Sequence, residues 1–146
     1  MAIKPVNIVP GIGEIEVLAA TGSTYTTGEV VYRNTTLGTV APITATVGDA
    51  TNIEGIATKT ITTTATTNYI RIVPIHSGLF VVADCTNNTA DNQLNKAHLY
   101  TDASTVNNTS THSTDINATF VALRVVGAST DKKLYGYIAK LGQVTA

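Results

Sequence analysis

The side chains able to do chemistry are few and scattered. The histidines are His76, His98 and His112, and Cys85 is the single cysteine. No two histidines stand at close metal-ligand spacing, and Cys85 has no second thiol with which to share a metal or form an intramolecular disulfide. A small apolar residue, buried or half-buried, is the expected role for Cys85. Ser77 lies in His76-Ser77-Gly78, but a nucleophile elbow needs glycine two residues earlier, where Ile75 stands, and a helix afterwards. Gly11-Ile12-Gly13 lacks the third glycine, the lysine and the following helix of a phosphate loop. Asp84, Asp91 and their neighbouring asparagines lack the spacing of a calcium loop, and turn chemistry accounts for them. Glu14, Glu16, Glu29 and Glu54 are dispersed, and spacing alone pairs none of them as acid and base. The residues therefore predict a protein that is not an enzyme and holds no cofactor or metal.

The bulk composition describes the surface such a chain presents. Of 146 residues, 43% are hydrophobic and only 13% charged, against a usual charged share of about 25%. Threonine, serine and asparagine do the solubilising. Such a surface can sit against another protein without desolvating many ions. A net charge of −1, with no basic cluster beyond Lys132-Lys133, argues against direct nucleic-acid binding. No tryptophan and only two phenylalanines weaken a sugar-binding or base-stacking platform. Pro5 and Pro10 interrupt the N-terminal apolar residues, so no secretory signal is expected there. No stretch reaches the ~20 apolar residues of a membrane helix.

The elements that would position these residues read as strands. In Tyr69-Ile70-Arg71-Ile72-Val73 the apolar and polar residues alternate with period two, and β-branched residues favour the pleated surface. Residues 53–80 predict two strands joined by a threonine loop, with a corner at Ser77-Gly78 into a third strand of the same meander. Gly55 signals a bulge or close backbone approach, and Pro74 a strand end or edge. Residues 79–83 form a continuous apolar run, predicting a strand buried on both faces. Earlier strands are expected at residues 12–17 and 29–34, the latter with Val30 and Tyr32 facing the core, and residues 21–28 read as a loop. Residues 96–102 predict a strand with Ala97, Leu99 and Thr101 on one face. Residues 104–117 read as a long polar surface loop. A last hairpin joins residues 119–126 to 133–141, with Tyr135, Tyr137, Ala139 and Leu141 sharing a face. No helical periodicity is found. Strands at roughly ten-residue intervals predict an all-β fold, a compact antiparallel barrel or sandwich-like domain over residues 13–146. Residues 1–12 read as an extended N-terminal arm whose Ile3, Val6, Ile8 and Val9, set among Pro5 and Pro10, would lie on a neighbour's surface. They read equally as a first edge strand packed on the same domain.

One resemblance runs through these strand cores. Gly28-Glu29-Val30-Val31-Tyr32, Glu54-Gly55-Ile56-Ala57, Val73-Pro74-Ile75-His76-Ser77-Gly78-Leu79-Phe80, Leu99-Tyr100-Thr101-Asp102 and Tyr135-Gly136-Tyr137-Ile138 follow one another in an order that resembles the small capsid decoration, or cement, proteins of tailed bacteriophages. The pattern covers most of the chain loosely, and the polar loops here are longer. The resemblance implies a structural protein, made in the host cytoplasm and carried on the outer face of the virion. It would bind the expanded head as a homotrimer and bridge major capsid protein subunits. It also implies that the N-terminal segment engages the shell, so that Ile3, Pro5, Val6, Ile8 and Val9 become the capsid-binding residues, through β-augmentation of a sheet edge. The alternative is a phage fibre, spike or glycan-binding β-module, although neither repeats nor a coiled-coil segment supports a shaft.

Overall fold

A computed structural model describes residues 13–44, 52–76, 79–108 and 120–138. The arm, with Ile3, Pro5, Val6, Ile8 and Val9, lies outside the described residues, as do the Ser77-Gly78 corner and residues 109–119. The fold is all-β. Its described strands are β1 (Ile15–Leu18), β2 (Thr24–Tyr25), β3 (Val30–Arg33), β4 (Val40–Pro42), β5 (Ile53–Ala57), β6 (Ile61–Thr62), β7 (Tyr69–Pro74), β8 (Phe80–Cys85), β9 (Lys96–Tyr100), β10 (Thr105–Asn107), β11 (Phe120–Val126) and β12 (Lys133–Ile138). Short 3-10 turns stand at Asp91–Gln93 and Ser129–Asp131.

The first seven strands build one unit. β1, β7, β5, β3 and β4 form an antiparallel sheet in that order, and β2 pairs with β6 as a separate ribbon. A parallel bridge from Ala19 to Val40 brings the chain leaving β1 back to β4, so the two edges of the sheet meet. Every strand of this sheet contributes to one apolar cluster: Val17, Val31, Val40, Ala57, Ile70 and Ile72, joined by Ala19 and Tyr25. Tyr25 is fully buried, and its hydroxyl donates to the Val40 carbonyl while accepting from the Ala20 N–H. The short strand β2 thus falls where a plain loop is predicted, because Tyr25 fills the centre of the sheet and needs a fixed backbone behind it.

The remaining strands close a barrel in the order β10, β8, β12, β11, β9. All its pairs are antiparallel except β8–β10. Inward residues alternate along the walls: Ala83 and Cys85 on β8, Leu134, Gly136 and Ile138 on β12, Phe120 and Ala122 on β11. Small and large residues must alternate to fill so narrow a barrel. This cluster continues into the other face of the first sheet through Val30, Ile43 and Ile53. Consecutive Val30 and Val31 point to opposite faces and are both buried, so β3 separates the two cores. The expected core face of β3, Val30 and Tyr32, is therefore half of the answer; Tyr32 is only partly buried, while Val31 has none of its surface exposed.

Three further expectations change. The predicted meander stops at Pro74, because β8 pairs with β12 and β10 instead of β7. On β9 the buried side belongs to His98 and Tyr100 together with Ala97, while Leu99 is half-exposed, since the barrel interior lies on the tyrosine side. The expected surface loop of residues 104–117 begins with β10, whose Val106 is fully buried. Gly55 behaves as read: a Cβ there would meet the Val73 carbonyl oxygen, and the register of β3 against β5 shifts opposite it.

Asn108, 2% exposed, ties the chain leaving β10 to the turn after β8. Its carbonyl oxygen accepts from the Asn87 N–H at 2.9 Å and the Thr86 hydroxyl at 3.2 Å, and its amide donates to the Asn87 carbonyl at 2.9 Å. Asn108→Ala strips these buried groups of their partners and should cost about 2 kcal/mol in urea unfolding. Asn108→Asp should cost more, because it sets a carboxylate oxygen against the Asn87 and Asn88 carbonyls that now accept from the amide. Equal stability of Asn108→Ala and the parent would show that this corner is not held by the side chain.

Candidate interaction surface

The outward wall of β8, β12 and β11 carries an apolar and aromatic stripe. On β8 the residues alternate outward as Phe80, Val82 and Asp84, with Phe80 47% and Val82 53% exposed. Antiparallel register places Tyr137 opposite Phe80, Tyr135 opposite Val82 and Lys133 opposite Asp84. On the far flank, Val121 stands opposite Tyr137 and Arg124 opposite Tyr135. Here β8 contradicts the expectation of a strand buried on both faces. The run is apolar throughout because its outward side is itself apolar.

The rings organise one another. Phe80 stacks on Tyr135 at 5.6 Å between centroids and meets Tyr137 edge-on at 6.3 Å. Arg124 lies over the Tyr135 ring, 5.0 Å from its centroid. Such pairs add about 0.5–1.5 kcal/mol beyond burial and hold the side chains in fixed orientations. A β-bulge between Ala122 and Arg124 sets the register that brings the guanidinium beside Tyr135. Lys133 and Asp84 close the end of the stripe with an ion pair, and that hydrogen bond raises the Lys133 pKa. Contiguous exposed apolar surface of this kind marks interaction sites, and Tyr and Arg are enriched where binding energy concentrates.

Two buried polar side chains are committed to structure. His98 is fully buried, and its Nε2 donates to the Gln93 carbonyl. Thr63, also buried, accepts from the Ser23 N–H and donates to the Ala20 carbonyl. Among the described residues no three His, Cys, Asp or Glu side chains gather where they could hold a metal ion. No helix among them is long and apolar enough to cross a membrane.

Cys85 is buried in the barrel, and its thiol pKa is pushed up to about 11, first by burial and then by the Asp84 charge. About one molecule in a thousand then carries the thiolate at pH 8. Thiol labelling of the native protein at pH 8 should run at least ~100-fold slower than in urea. The folded state keeps a proton that the unfolded chain releases. The Cys85 contribution to stability is therefore complete below pH ~8 and is lost as pH rises towards 11. Cys85→Ala should flatten that part of the alkaline decline. Labelling of the native protein at the unfolded rate would contradict the burial.

Part of this surface is legible in the sequence. Tyr135 and Tyr137 are placed on one face, as the period-two pattern requires. The apolar run at residues 79–83 reads Phe80 and Val82 as core, although Asp84 stands two residues beyond Val82 in the same phase and marks that side as solvent-facing. No protein-family model matches the chain, and no curated protein matches it.

Proposed function

We propose that this protein is a structural virion component that binds the outside of an expanded phage head and stabilises it by bridging major capsid protein subunits, acting as a homotrimer. The observation that carries the reading is the rigid outward stripe of Phe80, Val82, Tyr135 and Tyr137, an apolar surface on a chain whose buried histidine and cysteine are occupied within the fold. The cement-protein resemblance supports it, since its segments coincide with β3, β5, the end of β7, β9 and β12. The flanks of Tyr135 are taken by Phe80 and Arg124, which suits a protein partner better than a sugar ring stacked on an open face.

In this reading several weak contacts per trimer combine into avidity, and binding only to the expanded shell stabilises that state by mass action. The test is sedimentation with expanded heads of the phage that encodes the protein, followed by heating with and without it. Co-sedimentation and a higher rupture temperature are expected. Equal rupture temperatures would remove the cementing role, and specific hits on a glycan array would favour the fibre or glycan-binding alternative.

A further inference from the structure

Where the first sheet meets the barrel, a cleft of about 270 Å³ opens to solvent. Val30 and Ile56 of the sheet and Val81 and Ala83 of β8 give it an apolar floor. Its polar groups are nearly all engaged. Thr27 is bonded to Thr60, Ser104 to the Asp102 carboxylate, and Asp84 to Lys133. Tyr100 differs. It lines the cleft and is only 6% exposed, yet among the described residues its hydroxyl has no hydrogen-bond partner. Its ring is fixed edge-on against Phe120. A buried tyrosine hydroxyl ordinarily finds a partner, and leaving one unmet costs about 1–3 kcal/mol.

We propose that the cleft is a binding site for a small, uncharged, largely apolar molecule whose single acceptor group receives the Tyr100 hydroxyl hydrogen bond. Size supports the class, since an apolar cavity of roughly 150 Å³ already holds benzene. Charge supports it too. The Asp84 carboxylate at the mouth disfavours anions, its pairing with Lys133 leaves little for a cation, and the apolar floor penalises any ion. The inference is independent of shell binding and survives if that reading fails.

The test uses the full chain and two matched probes: acetophenone, with a carbonyl acceptor, and ethylbenzene, without one. Titration of each is followed by backbone amide NMR shifts. Saturable shifts around Val81, Ala83 and Ser104 are expected, with acetophenone binding about threefold to tenfold more tightly than ethylbenzene. Tyr100→Phe should abolish that preference while leaving the spectrum folded. Ser104→Phe, at an exposed position on the lining, should block both probes. Absence of saturable shifts up to the solubility limit, equal affinity for the two probes, or a preference that persists in Tyr100→Phe would overturn the proposal.

Discussion

Replacing Gly136 with alanine is expected to destabilise the fold by more than about 3 kcal/mol. Gly136 lies in the middle of β12, which is paired on both sides, opposite Ala122 on β11 and Val81 on β8. A Cβ at this position would overlap the Val121 carbonyl oxygen and come within 3.1 Å of the Phe120 ring. The oxygen is backbone and cannot rotate away, so β11 and β12 would have to part. Parting them breaks ladder hydrogen bonds and loosens Phe120, which is completely buried. Each buried backbone group left unmet costs about 1–3 kcal/mol, and overpacking adds a similar amount. Gly28→Ala is the control. Among the described residues nothing lies within 4 Å of its Cβ position, but its φ of +91° strains any L-residue, so about 1–2 kcal/mol is expected. Urea unfolding of both variants with unchanged m-values measures the contrast. A Gly136→Ala cost no larger than that of Gly28→Ala would mean that the barrel wall gives way far more readily than its pairing implies.

What the residues disclosed in advance follows the physics of each signal. Period-two alternation is local, so the last hairpin and the strand at Tyr69–Pro74 could be read directly, as could the close approach at Gly55. Which sheet a strand joins is not local. Nothing in the run at Phe80–Cys85 states that it leaves β7 to pair with β12, and barrel closure depends on partners about 50 residues away. The same gap explains the misplaced face of β8. An outward wall that is itself apolar looks, in one dimension, like a core strand. Short strands are hard to read for another reason: β2 and β10 have two and three residues, too few to show a period, and each is fixed by one buried side chain, Tyr25 or Val106. Of the candidate site, the tyrosine pair was legible and its companion β8 was not.

On the proposed capsid reading, deleting residues 1–10 is expected to leave a folded trimer that no longer sediments with shells. The case for this comes from the sequence: Ile3, Val6, Ile8 and Val9 on a proline-broken segment are suited to adding a strand to another protein's sheet edge, with main-chain hydrogen bonds supplying affinity and the side chains filling pockets. On the same reading the barrel stripe is a second candidate contact, and the two can be separated by experiment. Phe80→Ser with Tyr135→Ser removes two adjoining rings from a solvent-facing wall, so the barrel interior keeps Phe120 and Leu134 and the fold should survive. If the stripe meets the shell, the loss of two ring anchors weakens sedimentation by at least ~100-fold, because interface hot spots cost about 2 kcal/mol or more each. An arm-deleted protein that fails to fold would make residues 1–10 an internal strand of the domain. Normal sedimentation of the ring variant would free the stripe from the shell and leave the arm as the sole attachment.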